Sequence, residues 1–324
     1  MSTVEVSVVV CTRNRAESLA RMLRSLAAMD VPADLAWEVV IVDNGSTDDT
    51  PAVIEGFADR LPIRRVMEAE PGLSVARNTG AANARGHYIC WTDDDVEVGQ
   101  EWLVAYLDAF AAFPDAAYFA GRVVPVYEGE RPSWITRNMD VLATLFAERD
   151  LGGTRRALRA ETNEGPFGAN CAVVRKWQRD HPYNVELGVS PRFRRLGEET
   201  AVFRAIRAAG GQGCWVPAAS VRHHIPQSRQ TKDYVLTYQK SVGETWAALT
   251  DLGIPNFMGP ELYRTGRLIR GSPAWLWRKT AQSFGAFQLA RLAGNERSAL
   301  KAMMKYAYYR GANDYLIRTR RNHR

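Results

Sequence analysis

The sequence predicts an α/β fold: a mixed, mostly parallel sheet flanked by helices, followed by a C-terminal helical region. Three observations carry this. Valine-rich runs alternate with segments whose apolar residues recur at helical spacing. The runs are apolar at nearly every position, as strands covered on both faces are. Polar clusters follow the runs at their C-terminal ends, the edge at which open α/β sheets bind ligands.

The elements follow in order. "VEVSVVVCTRNR" opens as a buried strand and breaks into polar residues. "AESLARMLRSLAAM" places Leu19, Met22, Leu23 and Leu26 on one helical face. "WEVVIVDNGSTDDT" is a second buried strand, stopping at Asp43. Ser46, Thr47 and Asp48 are N-cap residue types for a helix "DTPAVIEGFADRL", with Pro51 near its first turn. "IRRVMEAEPG" is a weaker strand, "LSVARNTGAANARG" a short helix ended by Gly86, and "HYICWT" a strand. Beyond Glu101 come an amphipathic helix "EWLVAYLDAFAAFP" and a strand pair or extended run "AAYFAGRVVPVY". "GPFGANCAVVRKWQRD" follows as a glycine turn, short strand and helix start. "RLGEETAVFRAIRAAGG" is a helix with acids in its first turn, and "QGCWVPAASVRHHIP" the last strand. From about Gln230 the chain reads as mostly helical.

A length of 324 residues suits one large domain or two ordinary ones, and 46% hydrophobic residues can fill a sizeable core. Cys11, Cys90, Cys171 and Cys214 are scattered without a Cys-x-x-Cys pair, which fits a reducing, cytoplasmic compartment. No secretory leader is legible and no apolar run reaches the ~18 residues of a membrane span. The net charge of +6 is uneven. Arg264, Arg267, Arg270, Arg278 and Lys279 precede a C-terminus crowded by Arg318, Arg320, Arg321 and Arg324. Such a distribution suits nucleic acid, an anionic membrane surface, an acidic substrate or a solvated helical face.

"ICWTDDDVEVG" sets Asp93, Asp94 and Asp95 side by side after a buried run. Adjacent carboxylates there either hold a hard cation such as Mg²⁺ or Mn²⁺ or form a solvated loop or cap. A cation at that edge commonly bridges the phosphates of a nucleotide.

"VVVCTRNR", "VVIVDNGSTDDT", "EPGLSVARNTGAANARGHYICWTDDDV" and "LGEETAVFRAIRAAG" together resemble family 2 of the glycosyltransferases, with its GT-A-type, Rossmann-like fold. The resemblance covers residues 6 to about 225. It implies an inverting enzyme that takes a nucleotide-diphospho-sugar donor, UDP- or GDP-linked, with Mn²⁺ or Mg²⁺. It divides the chain into a nucleotide-sugar-binding half (1–100), an acceptor-binding half (101–230) and a C-terminal helical region (231–324).

The resemblance also implies roles. Thr12 and Arg13 begin the loop that closes over base and ribose. Asp43 accepts a hydrogen bond from one of these, Arg77 approaches the base or phosphates, and Asn78 orders its loop. Asp93 faces the ribose or the metal, Asp94 fills the variable middle place, and Asp95 is the principal metal ligand. Glu199 aligns with the catalytic base and Glu198 with its neighbour, although the family usually has an aspartate there. His223, rather than His224, matches a further metal or diphosphate contact. Residues 165–170 resemble the loop lining donor sugar and acceptor. Trp134, Trp215 and Trp246 are either sugar-stacking or packing residues.

The partners implied are the donor and a glycan or lipid-linked acceptor in cell-envelope or exopolysaccharide synthesis. A small-molecule or protein acceptor is the alternative. Peripheral contact at the inner face of the membrane through the basic helices is open. Other classes fit less well. "CTRNRAES" lacks the glycine-rich phosphate loop of a pyrophosphorylase and the Gly-x-Gly-x-x-Gly of a nicotinamide enzyme. Only the arginine-rich C-terminus speaks for nucleic acid, with no reader motif beside it.

Overall fold

The computed structural model describes residues 4–159, 164–260 and 267–321, in two compact units. The first comprises Met1–Val126, Phe146–Phe193 and Gly197–Ile225; the second comprises Tyr127–Leu145, Arg194–Leu196 and Pro226–Arg324.

The first unit is built on one sheet. Its strands are β1 (Val6–Thr12), β2 (Trp37–Asp43), β3 (Ile63–Met67), β4 (Tyr88–Asp93), β5 (Val96–Val98), β6 (Ala116–Tyr127), β7 (Arg156–Ala157), β8 (Asn170–Val174) and a long last strand, Gln212–Ile225. Their order is β3-β2-β1-β4-β8-β6-long strand-β5, with β7 beside the long strand. β1 runs parallel to β2 and β4, and β2 to β3, whereas β8 is antiparallel to β4 and β6. The register sets Thr12 opposite Asp43, Asp43 opposite Met67, and Cys11 opposite Asp93. Three loops far apart in sequence therefore leave the sheet at one edge.

Helix α1 (Ala16–Ala27) buries the four apolar residues that its spacing predicts. Helix α2 (Thr50–Glu55) is shorter than expected, because Gly56 caps it and the chain continues in turns. Asp48 is not its N-cap residue. Its carboxylate accepts from the amides of Thr50 and Ala16, both at 3.1 Å, and so ties the starts of two helices together. Helix α3 (Leu73–Asn83) ends before Gly86. Gly86 serves the sheet instead, since a Cβ there would lie 2.5 Å from the Ser7 amide nitrogen. "AAYFAGRVVPVY" is the single strand β6 rather than a strand pair. Helix α4 (Trp102–Ala112) buries Trp102, Leu103, Tyr106 and Phe110 in the core beneath the sheet.

Asn170, at the start of β8, was legible only as part of a loop. It is fully buried, accepting from Trp102 Nε1 and Tyr106 Oη and donating to the carbonyls of Arg122 and Ala219, all at 2.8 Å. Asn170→Ala leaves four buried polar groups unpaired. A loss of about 3 kcal/mol or more is expected by urea denaturation.

The second unit packs the helices Lys232–Asp251, Ala274–Leu292 and Glu296–Arg321 around Trp246, Leu276, Ala312, Tyr315 and Leu316. Trp246 stacks on Tyr308 with ring centroids 5.0 Å apart and donates to the Pro260 carbonyl at 2.7 Å. Trp215, in the first unit, is equally buried and donates to Gly152. Both are packing residues, with no face left for a sugar. Trp134 is half-buried, with Lys232 Nζ 5.7 Å from its ring centre. Of the basic cluster, Arg264 and Arg324 lie outside the described residues, as do the side chains of Arg320 and Arg321. All four cysteines are free thiols. No helix among the described residues is long and apolar enough to cross a membrane.

Candidate active site

The acidic triplet occupies a turn between two strands. β4 ends at Asp93, and after Asp94 and Asp95 the chain re-enters the sheet as β5, paired antiparallel with the long strand so that Val96 faces His223. The His224 amide donates to the Asp95 carbonyl at 2.9 Å. Successive residues of a strand point to opposite faces, so the two histidines part company. His223 sets Nε2 3.3 Å from Asp95 Oδ1, while its Nδ1 is buried without a hydrogen-bond partner among the described residues. His224 instead meets Arg21 and Glu97, each at 3.3 Å.

What keeps three adjacent carboxylates together is two arginines, one of which the sequence reading did not single out. Arg15, just before α1, places Nη1 2.9 Å from Asp94 Oδ1 and 3.0 Å from Asp95 Oδ2. Burial opposes its charge, and the two aspartates overcome that and hold its pKa above the ordinary arginine value. Thr12 Oγ1 donates to Asp94 Oδ2 at 2.8 Å. Burial nevertheless pushes the Asp94 carboxyl up to about 7, opposed by Arg15 and Thr12 and helped by Asp95. The signal for Arg15 was present in "TRNR", but which of its two arginines faces the acids is decided by the helix start. Arg13 faces solvent.

The second arginine is Arg77 on α3, buried with its guanidinium 5.4 Å from the Tyr183 ring centre. Its Nη1 lies 2.7 Å from Glu198 Oε1 and 3.9 Å from Glu199 Oε2, and its Nη2 lies 3.4 Å from Asp93 Oδ1. It thus links the end of β4 to the first turn of the helix Glu198–Ala208. Asn78 and Tyr183 exchange two hydrogen bonds at 2.8 Å that fix α3 beneath it. Glu198 is spent on its ion pair. Glu199 makes the longer contact and keeps 21% of its side chain exposed. Burial, and then the neighbouring Glu198 charge, push the Glu199 carboxyl up to about 8 against the pull of Arg77.

Residues 165–170 meet this cluster through Gly168, where a Cβ would stand 2.5 Å from Arg77 Nη2. Gly168→Ala is expected to move the guanidinium off Asp93. A fall of about 10²-fold in kcat/KM with an unchanged circular dichroism spectrum is the expected outcome, read by steady-state kinetics.

Asp43 has no exposed side-chain surface. Its Oδ1 accepts from the Ser46 amide at 2.9 Å, and its Oδ2 from Arg65 Nη2 at 2.6 Å. Burial alone would raise its pKa, but the bonds from Ser46 and Arg65 bring it below the usual carboxylate value. Arg65 went unnoticed in the sequence because "IRRVM" carries only a weak strand pattern. The loops after β1 and β2 are joined through Asn14, whose Oδ1 accepts from the Thr47 amide at 2.7 Å. Gly72, before α3, is tied to the second loop by its amide donating to Asn44 at 2.8 Å.

The edge of the sheet therefore carries a cluster of acids with two built-in cations. A partly exposed glutamate stands among them without a close partner of its own, which is chemistry suited to proton removal beside a charged ligand.

Comparison with known proteins bears on the family and the fold. The family model for glycosyl transferase family 2 matches residues 7–180, more than half of the 324. The succinoglycan biosynthesis protein ExoM of Rhizobium meliloti is 30% identical over 253 residues, 76% of this chain and 75% of that protein. Validoxylamine A glucosyltransferase of Streptomyces hygroscopicus subsp. jinggangensis is 38% identical over 108 residues, 33% of this chain and 25% of its own length. Among solved structures, the mannosyltransferase PcManGT from Pyrobaculum calidifontis, in complex with GDP-Man and Mn²⁺, matches with a TM-score of 0.62. Its identity is 19%, with coverage of 96% of this chain and 87% of that one. S. aureus TarS 1–349 in complex with UDP-GlcNAc matches at 0.54 and 13% identity, over 93% and 91% of the two chains. These likenesses establish the architecture as that of the GT-A enzymes, with its helical C-terminal region. Because the family match runs through the loops that form the anionic edge, fold and family agree: the chain belongs to glycosyl transferase family 2.

Proposed function

We propose that the enzyme is an inverting, metal-dependent glycosyltransferase moving a sugar from a UDP- or GDP-linked donor to an acceptor hydroxyl in glycan assembly. One observation carries the reading: the two glutamates around Arg77 are treated differently. Glu198 closes on the guanidinium at 2.7 Å, whereas Glu199 stays at 3.9 Å, partly exposed and with a raised pKa. A carboxylate left without a close counter-ion is the stronger base of the two.

In this mechanism Glu199 takes the proton of the acceptor hydroxyl as the oxygen attacks the anomeric carbon, opposite the departing diphosphate. Arg77 holds Glu198 and Asp93, fixing the base relative to the donor. Thr12, Arg13 and Asp43 belong to the loops that receive base and ribose, with Asp43 kept ionised and fixed by Ser46 and Arg65. Asp94 keeps the turn folded onto Thr12 and Arg15.

Asp95 and His223 are the residues that would hold Mn²⁺ or Mg²⁺, with Asp93 beside them. Among the described residues no three carboxylate, imidazole or thiolate groups already converge on one point. Such a cation needs only one or two protein carboxylates when substrate phosphates complete its shell. The juxtaposed oxygen and imidazole nitrogen of Asp95 and His223 are donor types that Mn²⁺ accepts. When bound, the ion supplies positive charge against the leaving diphosphate.

ExoM, a succinoglycan biosynthesis protein, supports a glycan acceptor in exopolysaccharide or cell-envelope synthesis. The match to validoxylamine A glucosyltransferase favours a small-molecule acceptor as the second reading. The stereochemical outcome tests the mechanism. Nuclear magnetic resonance of the product should show the anomeric configuration opposite to the donor's, and retention would sink the single-displacement scheme. A thermal-shift panel of sugar nucleotides with Mn²⁺ should single out the donor, because a ligand stabilises the fold it binds.

A further inference from the structure

The helix Ala274–Leu292 of the second unit lacks the apolar inner face of an ordinary surface helix. Its buried side chains are Leu276, Thr280 and Ser283, at positions i, i+4 and i+7 of one face. Two of the three carry hydroxyls. Thr280 Oγ1 accepts from Asn313 Nδ2 at 2.8 Å, and Asn313 Oδ1 accepts from Ser272 Oγ at 2.5 Å. Leu289 and Leu292, 70% and 86% exposed, lie on the opposite side, while Phe284, 44% exposed, sits on the flank with its ring centre 5.3 Å from that of Tyr306. A helix bathed in water arranges these the other way round.

The hairpin leading into that helix continues the pattern. Its strands are Leu268–Ile269 and Ser272–Pro273, and Leu268 and Ile269 are both exposed. Trp277 donates to the Ile269 carbonyl at 3.0 Å and joins hairpin to helix. Of the nine large apolar residues exposed among the described residues, five fall between 268 and 292. The charges there have one sign. From Arg267 to Asn295 the sequence has Arg267, Arg270, Arg278, Lys279 and Arg291 and no acidic residue. All five basic side chains are exposed. The next acid, Glu296, is already engaged by Arg137 at 2.7 Å and Lys232 at 3.6 Å.

Exposed leucines and an isoleucine along the hairpin and helix, among arginines whose apolar stems can reach outward, match the lipid–water interface. A symmetric contact with a second copy would set this one-signed patch against itself, like charge on like. A bilayer with acidic headgroups answers both features, covering the apolar side chains and neutralising the basic ones. No described helix can span it, so the contact lies on the membrane rather than across it. We propose that the hairpin and the helix Ala274–Leu292 are the surface by which the enzyme docks on an anionic lipid bilayer.

The test uses the full chain and sedimentation with vesicles of phosphatidylcholine containing phosphatidylglycerol, against vesicles of phosphatidylcholine alone. The parent should bind the anionic vesicles, with a loss of about tenfold or more on neutral vesicles or at raised salt. Leu289→Ser combined with Leu292→Ser should weaken partitioning by on the order of 10²-fold. Arg278→Gln with Lys279→Gln should weaken it by about tenfold. All four side chains are exposed, so folding and transfer to a water-soluble acceptor should be unchanged. A parent that ignores anionic vesicles, or leucine variants that bind as well as the parent, would overturn the proposal. So would a leucine pair that breaks an oligomer in sedimentation velocity without touching vesicle binding, which would give the face to a second copy. Vesicle binding is read without turnover, so it is decided separately from the transfer chemistry.

Discussion

Glu199→Gln is expected to bind the donor as the parent does and to transfer sugar about 10²–10⁴-fold more slowly. The amide keeps the shape of the side chain and cannot accept the acceptor's proton. Isothermal titration with the donor nucleotide separates binding from turnover. Glu198→Gln should behave differently: it loosens the 2.7 Å ion pair on Arg77, so its effect should fall on donor affinity and stability as well as rate. If Glu199→Gln turned over normally and Glu198→Gln did not, the two roles would be exchanged.

The raised pKa of Glu199 gives the same assignment a pH signature. The base form is the ionised one, so kcat/KM should climb with pH through a midpoint near 8, the value to which burial and Glu198 push this carboxyl, and level off about one unit above it. Stability should move the opposite way. Between the ordinary glutamate value and about 8, the folded chain holds a proton that the unfolded chain has released, so this group's contribution to stability falls as pH rises through that window. An acid limb in the rate profile centred well below pH 6 would speak against Glu199.

Asp95→Ala is expected to lower transfer by on the order of 10³-fold while leaving the fold intact. The backbone of Asp95 still pairs with His224, and Arg15 keeps its bond to Asp94. Arg15 is about a third exposed, so losing its second partner should cost less than about 1 kcal/mol. Thermal unfolding checks that half. For the other half, Mn²⁺ with UDP or GDP should raise the melting temperature of the parent and not of the variant. Near-parental activity with an unchanged metal requirement would remove Asp95 from the proposed role.

Part of the candidate site was legible in the sequence, because residues such as Asp43 and Asp93 sit at ends of strands that the hydrophobic pattern marks. Glu199, in the first turn of a helix, was reached only through the family resemblance. The two errors of extent, in α2 and α3, arose at glycines. Gly56 stops a helix whose apolar pattern runs on, and Gly86 proved to be needed for a close approach to β1. Trp215 and Trp246 could be weighed only once their neighbours were known.

Local periodicity and residue chemistry are properties of neighbouring positions, so strand–helix alternation, the acidic turn and the family could be read along the chain. Pairing is not such a property. That Arg15 rather than Arg13 faces the triplet, that Arg65 fastens Asp43, and that Arg77 takes Glu198 and leaves Glu199 were decided by strand register and helix placement. Each of these contacts joins residues on different elements, and a charge selects its partner by distance in space.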